Sequence, residues 1–401
     1  MKYNPPINAE RIRPYYSNTL TNVEVLLTGH SHRAWPDLVE QAQLRPVKLA
    51  QIQLDHKWEA IFGEIIPKFQ KLVAKRIGTD KPDHIANGEN THELVTRVLS
   101  CFPWDSRTRF VTTDSEFHSM RRQLNRLEEE GVNVAYVPTQ DKSSLTERLV
   151  KAITPGTNVV LASTVFFNEG YVLQEVPRII ARAREVGAVV VLDAYHHFNA
   201  RRLEADKLGR DVFIAGGGYK YASGGEGAAW LKVPENCTLR PAITGWFADF
   251  KALEAEEYPK PVQYGEAAQR FLGATRDISG ICRQIAVLEW MNKMRMTVDL
   301  LERNHNHQTK YIIRLFDDSG LSDLGASLLS SRKDSERGPF VAIDLGSSTR
   351  AHNTYQRLLN DYSVLTDTRG SILRLGPAPY TTKDELDRGM ESLKYVLRAN
   401  Q

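Results

Sequence analysis

From about residue 83 onward, short β-branched runs alternate with amphipathic helical stretches, and this alternation constrains the fold more than any other feature of the chain. The runs are Arg109-Phe-Val-Thr-Thr, 132–137, 158–163 and 188–193. Helical patterns lie between them at 118–130, 143–153 and 176–186. Strands that alternate with helices form parallel βαβ units, so an α/β domain with a mostly parallel central sheet flanked by helices is expected. Upstream, residues 37–76 read as largely helical, a bridge between two subdomains. Downstream, 281–316 reads as one long helix, followed by strands at 340–345 and 371–375 and a last helix over 383–398. This second zone predicts a smaller α+β domain to which the N-terminal segment returns. The expected boundaries are 51–280 for the large domain, with 1–50 and 281–401 forming the small one.

Composition narrows the function classes. With 401 residues, 41% of them hydrophobic and 25% charged, the chain has ample apolar material for a core, which argues against disorder. The longest charge-free run, 152–168, is interrupted by Pro155, Gly156 and Asn158, so no membrane span is expected. Residues 1–13 carry no apolar stretch of the secretory kind, and a cytoplasmic location is the expectation. Cys101, Cys237 and Cys282 are an odd set at wide spacing, which encodes neither a disulfide framework nor a zinc site. A net charge of +3 with scattered Lys and Arg gives no reason to expect a nucleic-acid partner.

The chemistry concentrates in LDAYHHFNARRLEADKLGRDVFIAGGGYKYASGGEG, residues 192–227. Asp193 ends a hydrophobic strand, and Lys220 sits in a glycine-rich turn after the apolar segment 211–215. Ligands of open α/β sheets bind at the carboxyl ends of strands, so both side chains are expected in one crevice. That pair suits pyridoxal 5'-phosphate (PLP). A lysine forms a Schiff base with the aldehyde, and a carboxylate keeps the pyridine nitrogen protonated so that the ring accepts electrons. The glycines at 216–218 and 224–225 are expected to let the backbone approach the cofactor.

GGGYKYASGGEG, preceded by DAYHH and followed by LRPAITGWF, resembles kynureninase and, more broadly, the class V aminotransferase branch of fold-type I PLP enzymes. The resemblance implies Lys220 as the Schiff-base lysine, Asp193 as the partner of the pyridinium, and Tyr219 as a phosphate contact that also moves a proton. Trp246 falls in a phosphate-contacting position, and His196 matches a histidine three residues after the aspartate. The EFHS segment resembles an EHHS-type motif, which makes His118 the expected ring stacked on the pyridine. Asn90 and Thr91 open a helical run, where free N–H groups favour an anion, and the family binds the cofactor phosphate there. Thr275 matches a threonine that reaches the neighbouring subunit's phosphate, implying a homodimer with shared active sites.

The RLGPAPY segment resembles the family's closing stretch, whose arginine receives the substrate α-carboxylate. Arg374 is that arginine, presenting paired donors to a carboxylate. His30 and His32 lie in a loop like the one that covers substrate in kynureninases, with His56 a weaker candidate. The His-x-His spacing has no third ligand cluster, so no metal is expected.

Two departures stand out: Tyr195, where a small residue is usual, and Thr275-Arg276-Asp277 in place of Asn-Pro-Pro. Kynureninase-like hydrolytic Cβ–Cγ cleavage of an α-amino acid, through aldimine and quinonoid intermediates, is the leading expectation. A class V aminotransferase or β-eliminating lyase uses the same lysine and aspartate. A non-catalytic binding or regulatory protein of fold type I is the alternative of a different class. No G-x-G-x-x-G leads from a strand into a helix, which removes a nicotinamide dehydrogenase.

Overall fold

The structure is a computed structural model that describes residues 3–254 and 260–399. A short strand, β1 (Val25–Leu26), precedes seven strands of one large sheet: β2 (Ile85–Gly88), β3 (Arg109–Thr113), β4 (Asn133–Val137), β5 (Val159–Ser163), β6 (Val189–Asp193), β7 (Phe213–Gly216) and β8 (Ala229–Lys232). Their spatial order is β2-β8-β7-β6-β5-β3-β4, and only β8 runs antiparallel to its neighbours. The chain leaves β3 outward to β4 and returns on the other side of β3 as β5. Such a reversal opens a crevice at the carboxyl edge of the sheet. Because β8 is reversed, β2 points the same way as β5, β6 and β7, and all four end at that edge.

The strands read as continuous apolar runs because both faces of the sheet are covered. Val160, Val190, Leu192 and Ile214 turn to one side and pack with Ile179 and Ile180 of helix Val176–Val186 and with Phe69 and Val73 of helix Ile66–Ile77. Their strand neighbours Val159, Leu161, Val191 and Phe213 turn to the other side. There they meet Leu94 and Val98 of helix Thr91–Leu99 and Leu124 of helix His118–Glu129. Each fully buried aliphatic side chain of this kind contributes about 1.5–3 kcal/mol relative to exposure, so the two cores fix the sheet and hold its carboxyl edge in place.

A second, antiparallel sheet comprises β9 (Ser327–Leu328), β10 (Val341–Asp344), β12 (Asp367–Arg369) and β13 (Ile372–Leu375), in the order β12-β13-β10-β9. The remaining strand, β11 (Val364–Leu365), pairs in parallel with β1. Val25 and Leu27 share a core with Leu373, Leu375 and helix Lys383–Arg398. The single helix expected over 281–316 is instead two, Ser279–Lys293 and Val298–Ser319. Arg295 adopts a left-handed φ of 58°, and the Thr297 side chain accepts from the Leu300 N–H to start the second helix. A local cap thus overrides a continuous apolar pattern. None of the described helices is long and apolar enough to cross a membrane.

Candidate active site

Asp193 at the end of β6 and Lys220 in the turn after β7 face a common cleft of about 170 Å3, whose walls include Ser163, Tyr195, His196 and Tyr219. Asp193 Oδ1 accepts from the Tyr195 N–H at 2.8 Å, and among the described residues the carboxylate makes no side-chain hydrogen bond. Burial raises its pKa, against the pull of that N–H and of the Lys220 charge. A buried carboxylate held by one backbone donor is suited to meet a cationic N–H of a ligand.

Lys220 is only 5% exposed. Burial lowers its pKa to about 7; Asp193 opposes the shift, and Arg374 and Arg369 add to it. A substantial neutral fraction at ordinary pH is what a nucleophilic lysine needs. Its Nζ lies 2.7 Å from His196 Nε2, and His196 Nδ1 lies 3.1 Å from the Tyr221 hydroxyl. Burial, and then Lys220 itself, hold His196 well below its ordinary pKa, so the imidazole stays neutral. With Nδ1–H directed at Tyr221, Nε2 accepts from the lysine.

Three rings surround the amine. Lys220 Nζ lies 5.1 Å from the Phe117 centroid, 4.9 Å from Tyr195 and 5.6 Å from Tyr219. Tyr219 has its pKa raised to about 12 by burial, then by Asp193 and Glu226, and therefore remains a proton donor across the physiological range. Tyr195 packs over Gly217: a Cβ built there would fall 2.5 Å from its hydroxyl. The glycines of the turn accommodate the protein's own side chains rather than a ligand. Gly216 abuts Trp230, Gly218 and Gly224 abut Gln284, and Gly225, at φ +74°, abuts Trp35.

Of residues 117 and 118, the ring turned towards Lys220 is that of Phe117, where His118 was expected. Glu116 is buried and accepts from Thr113 Oγ1 at 2.6 Å, Ser163 N at 3.1 Å and Ser163 Oγ at 2.6 Å. This anchor sets the phase of the chain one residue earlier. The helix begins at His118, whose exposed ring lies beside Arg121 and Arg122 in a neighbouring surface groove, while Phe117 turns into the cleft. Burial raises the pKa of Glu116 to about 7.

At the opposite wall, Asn90, Thr91 and His92 open helix Thr91–Leu99 and line the cleft. The Asn90 side chain accepts from Glu93 N–H at 2.9 Å, so its oxygen caps the helix and only its amide NH2 remains for a ligand. Glu89 and Glu226 line the same cleft. Trp246 and Thr275 do not line it. Trp246 Nε1 donates to Thr275 Oγ1 at 3.2 Å, with Trp246 36% exposed. The two residues form one surface feature of the chain, apart from its own Lys220.

Arg374 is buried and already partnered. Its Nε donates to Asp367 Oδ1 at 2.8 Å, Nη2 bonds the same oxygen, and Nη1 donates to Phe167 O at 2.5 Å. Asp367 and Arg374 are direct cross-strand partners of β12 and β13. This leaves the guanidinium two of its five N–H groups for a substrate, a narrower role than the free receptor expected. His30 is fully buried and does not line the cleft: its ring stacks on Phe340 at 4.7 Å, and burial lowers its pKa to about 4. His32 is exposed and stacks on Tyr219 at 5.4 Å, which places it at the cleft's edge. His56 is exposed and bonds Glu59 at 3.2 Å, outside the cleft lining.

Phe117, Glu116, Glu89 and Arg369 are the residues that sequence reasoning missed. Arg369 alone carried a signal: two residues from Asp367 on a strand, it must share that residue's face.

A family model described as Aminotransferase class-V matches residues 43–376. The chain belongs to the class V aminotransferase family. This class V match takes in Asp193, Lys220 and Arg374 and stops short of the loop bearing His30 and His32. Among curated relatives, the uncharacterized aminotransferase YcbU of Bacillus subtilis is 22% identical over 324 residues, 80% of each chain. A probable mitochondrial cysteine desulfurase of Dictyostelium discoideum is 23% identical, covering 84% of this chain and 74% of the relative. Solved structures share the fold. Cysteine desulfurase CsdA of Escherichia coli superposes with a TM-score of 0.80 at 17% identity, over 98% of this chain and 99% of that one. The cystine C-S lyase C-DES gives 0.78 at 17% identity, over 94% and 99%. The fold is thus PLP fold-type I. Kynureninase-like specificity finds no support in these relatives, which are desulfurases, a C-S lyase and an aminotransferase, and that expectation is corrected accordingly.

Proposed function

We propose that the protein is a PLP-dependent β-eliminating lyase acting on an α-amino acid. The observation that carries this reading is the buried Lys220 amine, with its pKa lowered to about 7, sharing a cleft with a buried carboxylate and a tyrosine held in its protonated form. Bound PLP supplies an electron sink for the bond broken at Cα. Lys220 would hold the cofactor and then take the α-proton. Asp193 would meet the pyridinium nitrogen, His196 and the ring of Phe117 would border the cofactor, and Asn90, Thr91 and the first N–H groups of helix Thr91–Leu99 would receive the phosphate. Arg374 orients the substrate carboxylate through its two free N–H groups. Tyr219, a neutral donor beside Lys220, protonates the departing β-substituent, a task for which an acid near the base is required. A second copy of the chain brings Trp246 and Thr275 to the phosphate end, consistent with their exposure and mutual hydrogen bond.

Elimination is favoured over desulfuration by the thiols. A reaction that leaves sulfur on the protein needs a thiolate at the cleft. Cys282 is buried in a core, and Cys101 and Cys237 pack beside the other core. Burial raises all three pKa values, to about 12 for Cys101 and about 11 for Cys282.

The test is a product assay with PLP-loaded protein and a β-substituted alanine such as β-chloroalanine. Pyruvate formed without added α-keto acid supports the lyase reading. Turnover only when an α-keto acid is supplied establishes a transaminase instead, and persulfide appearing on Cys101, Cys237 or Cys282 contradicts the sulfur argument.

A further inference from the structure

A second cavity, about 720 Å3 in volume, adjoins the Lys220 cleft. The two meet at a ring pair: His32 lines the second cavity, and its ring stacks on Tyr219, which lines the first. The floor of the second cavity is β12 with the residue before it, Thr366 to Arg369. Its charge is unbalanced. Asp367 is neutralised by Arg374, while Arg33 spends its Nη groups on Tyr221 O and His305. Arg369 differs from both. Its Nη1 bonds its neighbour Thr368 O at 2.7 Å and pairs with Asp367 at 3.4 Å, and among the described residues its Nε and Nη2 have no hydrogen-bond partner. Asp367 and Arg369 alternate onto one face of β12, and Arg374 stands opposite Asp367 on β13, so both arginines lie on that face.

A second, independent observation concerns Thr366. It is 3% exposed and lines this cavity, yet its hydroxyl has no hydrogen-bond partner. A buried hydroxyl without a partner costs stability unless a ligand or water completes it. A cation with an open fork and an orphaned hydroxyl line one cavity next to the reactive amine, and each offers a donor that a carboxylate can accept from.

We propose that this cavity is the subsite for a leaving group that ends in a carboxylate, so that the preferred substrate is a β-substituted alanine whose distal carboxylate is read by Arg369 and Thr366, with L-glutamate and L-aspartate as analogues that bind without eliminating. The proposal rests on the PLP reading of the Lys220 cleft, and it assigns the two arginines different ends of one substrate. Arg369, which lines the second cavity, takes the distal carboxylate, and Arg374, which does not line it, keeps the α-carboxylate.

The experiment uses PLP-loaded protein and follows the visible band of the lysine-linked cofactor while L-glutamate, L-aspartate and their amides, L-glutamine and L-asparagine, are titrated separately. The unaltered protein is expected to bind at least one acid tenfold or more tightly than its amide. R369Q is expected to remove that preference while holding amide affinity within about twofold, and T366V to weaken acid binding alone. Should R369Q fail to fold, R369K keeps the charge without the planar fork and is expected to lose part of the preference. Equal binding of acid and amide by the unaltered protein overturns the subsite, as does an equal loss for both ligands in R369Q, which would make Arg369 the α-carboxylate receptor. A protein that shows no cofactor band at all removes the proposed function and this subsite with it; a normal band without acid preference removes the subsite alone.

Discussion

Burying Lys220 has a measurable consequence for stability in the cofactor-free protein. In the unfolded chain its amine titrates near 10.5, and in the folded protein near 7. Between those values the unfolded state binds a proton that the native state lacks, so native stability rises with pH across that window. The slope is about 1.4 kcal/mol per pH unit for one proton. From pH 7.5 to 10 the Lys220 contribution therefore changes by about 3 kcal/mol. Lys220→Met, which keeps the apolar stem and removes the charge, deletes this dependence. Urea unfolding of both proteins at several pH values gives the difference directly. At pH 7.5 the variant should be the more stable, by on the order of a few kcal/mol, and its advantage should shrink steadily towards pH 10. A difference between the two proteins that does not vary with pH would show that Lys220 titrates normally, and the account of a dry, reactive amine would be wrong.

Three other outcomes follow from the same geometry. Arg374→Gln leaves Asp367 without its buried partner and should cost about 3–5 kcal/mol of unfolding free energy, with Asp367→Asn in the same chain restoring part of the loss in a double-mutant cycle. Phe117→Ala should weaken PLP binding and shift the cofactor's absorption, whereas His118→Ala should alter neither, as read by titrating apoprotein with PLP. Asp193→Asn should still form the lysine link, with the band persisting, but lose about 100-fold or more in turnover because the ring nitrogen no longer meets a charge.

Much of the sheet was legible because its signals are local. Each strand and helix of the βαβ succession carries its own period, and the Asp193–Lys220 pair was legible for the same reason: a strand end and a glycine-rich turn are both written in adjacent residues. What the sequence hid depends on contacts across the fold. Whether residue 117 or 118 meets the cofactor is decided by Glu116 bonding Ser163 on another strand, and a one-residue change of phase on entering a helix moves a side chain by roughly 100° around it. The break between helices Ser279–Lys293 and Val298–Ser319 was masked by apolar residues that serve two different cores, Ile281 and Ile285 in one and Leu288 and Leu301 in another. The partnering of Arg374 by Asp367 was readable in principle, since a short hairpin places the two opposite each other. The motif itself marks the arginine but carries no sign of the carboxylate across the hairpin that holds it.

The central claim is that the Lys220 amine carries the cofactor. Reduction of the PLP-loaded protein with borohydride, followed by proteolysis and mass spectrometry, tests it most directly. The account predicts a pyridoxyl phosphate adduct on the peptide containing Lys220, with the visible band lost on reduction and absent from Lys220→Met. An adduct confined to other lysines, or a visible band that survives in Lys220→Met, would contradict it.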